Sequence, residues 1–509
     1  MVRGISCLCS CLLKVIFKTV TLIVPTQLSF HISVTMGSLE GSLEPTLDIT
    51  TLHDLYTTKK VTPTDLINHI YDRIESYPDK AVWIHLIPRD EALSAATTLT
   101  KQYAHTTSPL PPLYGIPFSV KDSIDIANIP TTLACPSFAY TPTETAPVVS
   151  KVLAAGAILI GKANLDQFAT GLVGHRSAYG TPRCVFDSEY ISGGSSSGSA
   201  VGVAAGLVSF AIATDTAGST RVPAALNGLV GLKPTLGTVS TVGLVPACKT
   251  ADCITVLAGS VQDARVAWRA MRGFDEGDVF ARREVPVLPA FGDVVRFGVP
   301  PEELLDVLSK PYRALFEQFV GALCSSGKEV AVQLQKTDFD YTPFQSANNM
   351  LYGSSIVAQR LVAFDEYIQT HGLDKLHPVI KTIFESSSGF DAVRAYKDIF
   401  DLALYKRQAE KQFLENIDVL IVPSTVTHFT VAEIDEDPIQ RNKLMGSFTH
   451  FVNLLDLCAV AVPVGKWRNA KGNMMPFGIT LIGQAGRDEE LMRLGEGIVE
   501  YMKPRLKVV

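Results

Sequence analysis

One pattern constrains the fold of this chain more than any other. VVSKVLAAGAILIGKANL, residues 148–165, reads as a helix, a short apolar strand and a turn containing glycine. SAVGVAAGLVSFAIATDTAGS, residues 199–219, repeats that order. Helices alternating with apolar strands imply a mostly parallel sheet covered on both faces, the α/β class. The small residues Gly202, Ala204, Ala205 and Gly206 are expected to let the second helix lie close to that sheet. Apolar strands return at 418–423, 457–464 and 476–483. Before them, 302–325, 344–364 and 391–415 read as helices. The stretch 300–416 is therefore a helical excursion from one core, and a single domain over 46–509 is expected. Near its start, Thr62 is placed to cap a helix whose first turn holds Pro63.

Composition narrows the class. Apolar residues make up 47% and charged residues 19% of 509, which suits a globular chain and not a disordered one. The formal net charge of −6 and the lack of basic patches give no footing for nucleic acid. Cys135, Cys184, Cys248, Cys253, Cys324 and Cys458 are scattered, as reduced and mostly buried thiols are, so a cytoplasmic location is expected. Residues 1–45 are an N-terminal extension, either disordered or a mispredicted start. Lys14 and Lys18 interrupt their apolar run, leaving uncharged stretches of about ten and twelve residues. A membrane span needs about twenty, so none is expected. The same basic residues weaken a secretory signal, and Cys7, Cys9 and Cys11 are candidates for acylation.

Three stretches carry candidate chemistry. GIPFSVKDSID places Lys121 at the end of a strand. ISGGSSSGSA, residues 191–200, has no hydrophobic periodicity. TDTAGSTRVPAA puts Ser219 in a small-residue turn before a helix. Taken singly they read as a solvated lysine, a loop and a helix cap. No GK[ST] follows the glycines, no GxSxG surrounds Ser219, and no HExxH occurs. A phosphate loop, a nucleophile elbow and a zinc hydrolase are thereby unsupported.

Together these stretches resemble the amidase signature family, most specifically through GGSSSGSAVGVAAGLVSFAIATDTAGSTRVPAALNGLVGLKPT, residues 193–235. The resemblance runs over about 45–500. It implies an amidase signature fold, with a mixed, mostly parallel central sheet, and a Ser–Ser–Lys triad, with Ser219 as nucleophile, Ser195 as bridging relay and Lys121 as base. It also implies a non-proline cis peptide at Ser195. The backbone N–H groups of Thr216, Ala217, Gly218 and Ser219 would form the oxyanion hole; Ala217 stands where the family commonly has glycine. A serine hydroxyl needs a base, and lysine serves as one only when neutral, which burial favours. No metal or organic cofactor is implied.

ACPSFAY (134–140), NLDQFATGLVGHRSAYG (164–180), GLVPACKTADC (243–253) and FVNLLDLCAVAVPVG (451–465) further resemble the allophanate hydrolases within that family. The substrate implied is a small linear amide, allophanate, which carries a carboxylate. Its binding residues fall on Gly171, Tyr352 and Arg360. Tyr352 and Arg360 are eight residues apart, which returns to one face of a continuous helix. The helix departs from the family pattern at Gly353, Ser354, Ser355, Ile356 and Gln359. A homodimer is what the resemblance favours. Many relatives carry a further C-terminal domain; this chain ends soon after its last amidase strand and helix, so none is expected here. Two other readings fit the same motifs: a general amidase on another small amide, and a glutaminase-type component of a tRNA amidotransferase.

Overall fold

The computed structural model describes residues 47–505, apart from 106–107, 328 and 331. The extension at 1–45 and its cysteines lie outside the described residues.

Eleven strands form one sheet: β1 (Trp83–Leu86), β2 (Pro117–Lys121), β3 (Ile158–Ala163), β4 (Phe210–Asp215), β5 (Val230–Lys233), β6 (Cys253–Ala258), β7 (Val294–Gly298), β8 (Gln333–Lys336), β9 (Val419–Pro423), β10 (Leu457–Arg468) and β11 (Met474–Gln484). Their order is β1-β3-β2-β4-β6-β5-β10-β11-β9-β7-β8. Every residue of β2, β4, β6 and β9 is buried. Covered on both faces, these strands are mainly apolar instead of alternating, and the polar residues Lys121 and Asp215 fall at the ends of β2 and β4.

The α/β class and the helix–strand–turn repeat are as expected, but the balance of directions is not. Parallel pairing is confined to β3-β2-β4 and to β9-β7-β8. The intervening ladders, from β4 through β6, β5, β10 and β11 to β9, are antiparallel, as is β1 on β3. The repeat on which the parallel reading rested covers β3 and β4 only; the long β10–β11 hairpin lies among the antiparallel strands between the two parallel groups.

The helix Ser197–Ala204 does lie close to its neighbours, but through a different glycine. A Cβ on Gly198 would stand 2.3 Å from the Val82 carbonyl oxygen, whereas one on Gly202 meets only ordinary contacts at 3.7 Å. Ala204, Ala205 and Gly206 are partly exposed, and Gly206 has φ +65° just past the helix end. Thr62 caps Pro63–Ser76 as expected, in a box closed by Asp65.

The excursion is not wholly helical. β8 runs through it as an edge strand with Leu334 as its one buried residue. The expected helix over 344–364 is broken: Thr342–Gly353 ends, a short 3-10 turn Ser355–Ala358 follows, and Gln359–His371 starts anew. Ser354 makes the break, with extended φ/ψ and a hydroxyl that accepts from Ile356 N–H. Among the described residues no helix is long and apolar enough to cross a membrane. The six scattered cysteines are unpaired and mostly buried, as expected, with Cys324 the exposed one.

Candidate active site

β2 and β4 are parallel neighbours. Lys121 ends β2 and Asp215 ends β4, so the chain leaves both strands at one edge of the sheet. The serine run meets them there. Lys121 is fully buried, and its Nζ lies 2.7 Å from Ser195 Oγ, 2.9 Å from Ser196 Oγ and 2.7 Å from Thr214 Oγ1. Burial pushes the Lys121 ammonium down from 10.5 to about 7, against the opposing pull of Asp166, Asp215 and Asp252. A neutral amine keeps two N–H groups and gains a lone pair, so one of the three hydroxyls must then donate to it. Ser196 Oγ already donates to the Thr214 carbonyl at 3.1 Å. Neither Ser195 Oγ nor Thr214 Oγ1 has such a second acceptor among the hydrogen bonds of the described residues, and of these two Ser195 is the one in the serine run.

The Gly194–Ser195 peptide is cis. The glycines before it are required by close approach. A Cβ on Gly194 would stand 2.2 Å from Asp166 Oδ2 and 2.6 Å from Gly174 N. Asp166 N–H donates to the Ser195 carbonyl at 3.0 Å, and its carboxylate accepts from the N–H groups of Gly174 and Arg176. Gly171 packs on the same carboxylate: a Cβ there would be 2.6 Å from Asp166 Oδ2. Its glycine identity thus follows from Asp166, a residue that sequence reasoning did not single out.

Ser219 sits one residue past Gly218, and its carbonyl accepts from Ser196 N–H at 3.2 Å, which joins the two turns. Asp215 shapes the second turn. It accepts from Gly218 N–H at 2.8 Å and Thr220 N–H at 3.2 Å, and pairs with Arg221 through two guanidinium nitrogens at 2.9 and 2.7 Å. Burial would raise this carboxyl, but Arg221 and the backbone donors outweigh it and hold it below the ordinary carboxylate range. Gly218 has φ +119°, and a Cβ there would meet Thr449 Oγ1 at 2.5 Å. Thr449 Oγ1 in turn donates to the Ala217 carbonyl at 2.7 Å. Asn453 Nδ2 donates to the carbonyls of Asp215 and Ala251. Thr449 and Asn453 lie in a stretch whose sequence alone gave no sign of contact with the serine turns. Of the other serines, Ser197 bonds weakly to the Asn164 carbonyl at 3.4 Å, and Ser199 Oγ is buried without a protein partner.

Tyr352 and Arg360 stand on different helices, so the shared face of a continuous helix is corrected. They meet nonetheless, the guanidinium carbon 5.8 Å from the Tyr352 ring centroid. Arg360 is 2% exposed, not a surface arginine. Its Nη1 donates to the Ala247 carbonyl at 3.4 Å, and its Nε is buried with no protein partner. His450 packs edge-on against Tyr352 at 5.3 Å. Burial, then Arg221 and Arg360, push its imidazole down to about 3, so it adds no second charge beside Arg360. Tyr352, His450 and Arg176 line a cavity of about 620 Å³. No group of three or more His, Cys, Asp or Glu suited to a metal occurs among the described residues.

The family model described as Amidase matches residues 65–492. The chain belongs to the amidase family. Its α/β fold, with the serine turns at the ends of buried strands, is that of an amidase hydrolase. It is 39% identical to urea amidolyase of Saccharomyces cerevisiae over 447 residues, which is 86% of this chain and 23% of that protein. The chain therefore spans about a quarter of the urea amidolyases it matches. Against a glutamyl-tRNA(Gln) amidotransferase component of Geobacillus thermodenitrificans it is 31% identical, over 90% of this chain and 98% of that one. Among solved structures it is similar to Kluyveromyces lactis allophanate hydrolase, at 36% identity and TM-score 0.80, over 89% of this chain and 72% of that one. Within the amidase family the chain is thus allophanate hydrolase-like.

Proposed function

We propose that this amidase hydrolyses allophanate by a Ser–Ser–Lys triad through an acyl-enzyme. The observation that carries the reading is the buried Lys121 amine, brought near neutrality and 2.7 Å from Ser195 Oγ. Ser219 attacks the terminal amide carbonyl; its proton passes to Ser195, whose own proton goes to the Lys121 lone pair. The N–H groups of Thr216, Ala217 and Ser219 receive the oxyanion, each such donor being worth about 3–4 kcal/mol in the transition state; the expected fourth donor, Gly218 N–H, is instead committed to Asp215 and shapes the turn. The relay then runs backwards, ammonia departs, and water resolves the acyl-enzyme to release N-carboxycarbamate.

Arg360 favours a substrate with a carboxylate. A buried guanidinium with an unpartnered Nε suits an anion more than a neutral amide. Tyr352 packs beside it, and the Gly171 loop borders the acyl site. A homodimer in the cytoplasm, with 46–509 as one domain, belongs to the same proposal.

The deciding experiment is ammonia release from allophanate by the purified full chain and by Ser219→Ala. Turnover that vanishes in the variant supports the reading. Turnover of neutral amides or glutamine alone would transfer the protein to the general amidases or to the glutaminase components of amidotransferases.

A further inference from the structure

The oxyanion turn and Arg360 come from segments far apart in sequence, yet one loop touches both. Residues 247–252 precede β6. On one side Asp252 accepts from the Thr216 hydroxyl at 2.5 Å, and Ala251 accepts from Asn453, which also holds the Asp215 carbonyl. On the other side the Ala247 carbonyl accepts from Arg360, and Thr250 exchanges two hydrogen bonds with the Gln359 side chain, at 3.2 and 2.9 Å. Asp252 folds the loop on itself by accepting from Ala247 N–H at 2.8 Å and from Cys248 N–H at 3.0 Å. A carboxylate accepts from all these donors at once. An amide could keep the backbone donors on its oxygen only by turning its N–H groups to the Thr216 hydroxyl, which would then accept where it now donates and point its own proton elsewhere.

We propose that Asp252 is a positioning residue that fixes the distance between the oxyanion turn and Arg360, and thereby the length of anionic amide the site accepts. The proposal rests on the roles of Ser219 and Arg360 given above. Asp252 touches no substrate atom; it acts through Thr216 on one side and through Ala247 and Arg360 on the other. Gln359 reinforces the same brace from outside.

The test uses the full chain with Asp252→Asn, Thr216→Val, Arg360→Ala and the Asp252→Asn/Arg360→Ala pair. Thr216→Val removes one hydrogen bond at constant shape and serves if Asp252→Asn does not fold. Kinetics are measured with allophanate and with propionamide. Labelling of Ser219 by a fluorophosphonate is also measured in the presence of malonamate, which has the length of allophanate with CH₂ in place of NH. The expected result is a KM for allophanate raised about tenfold in Asp252→Asn and a matching loss of malonamate protection, with propionamide much less affected. Arg360→Ala should add little further KM effect on top of Asp252→Asn, because coupled residues are not additive. Equal losses on both substrates, or effects that multiply in the pair, would mark Asp252 as a merely structural residue and overturn the proposal. A parent that turns over no allophanate but is protected by malonamate removes the substrate assignment alone. Protection then decides the brace, and protection unchanged in Asp252→Asn and Thr216→Val overturns it.

Discussion

Lys121 and Ser195 face each other at 2.7 Å in a region that neither side chain leaves for solvent. That contact places an amine with a pKa of about 7 against the one neighbouring serine hydroxyl without a second acceptor in the described residues. The rate should follow the neutral amine. kcat/KM is expected to rise as pH passes through about 7 and then level. A profile that stays flat from pH 6 to 8.5 would contradict Lys121 as the base.

The same burial bears on stability. Between about 7 and 10.5 the unfolded chain holds a proton on Lys121 that the folded chain has lost. Stability therefore rises with pH across that window, and the destabilisation is fully present below it. Lys121→Met should be inactive, and its melting temperature should climb less between pH 7 and 10 than that of the parent.

Ser195 and Ser196 touch the same lysine but should differ in consequence. Ser195→Ala is expected to lose about 100-fold or more in kcat, the usual scale of general acid–base catalysis. Ser196→Ala should lose far less, because its proton is committed to the Thr214 carbonyl. Steady-state kinetics of the two variants decide this, and equal losses would mean that the relay is shared.

Much of this arrangement was legible in the sequence. The helix–strand repeat around β3 and β4 and the resemblance in 193–235 lead to Lys121, Ser195 and Ser219 without coordinates. What remained hidden was held by contacts distant in sequence. Asp166, Thr449 and Asn453 look like ordinary polar residues until the fold brings them against the serine turns. β8 was missed because QLQK has a single apolar residue and gains its place only from β7. The helix break at Ser354 was missed because the apolar pattern continues across it.

Gly194→Ala and Gly171→Ala should both fail through Asp166, since each new methyl would collide with its carboxylate. Overpacking of this kind costs about 1–3 kcal/mol. A lowered melting temperature together with lost labelling of Ser219 is expected for Gly194→Ala. Wild-type stability in both variants would show that the loop yields.

Arg221→Met leaves the buried Asp215 charge without its cation. Removing one member of such a pair costs about 3–5 kcal/mol. Chemical denaturation should report that loss. Gly218 N–H is held by the same carboxylate, so surviving folded protein should also show a lower kcat.

The contacts of Thr449 and Asn453 with the turn that carries Ser219 also set an order of events. A ribosome releases Lys121, Ser195 and Ser219 more than two hundred residues before the segment that buttresses Ala217 and Asp215. The β10–β11 hairpin, which joins the two parallel ends of the sheet, emerges later still. In the proposed mechanism a nascent chain therefore carries its reacting groups through nearly half of its synthesis before the contacts that hold the oxyanion turn can form, and hydrolysis waits on about the last eighth of the polypeptide.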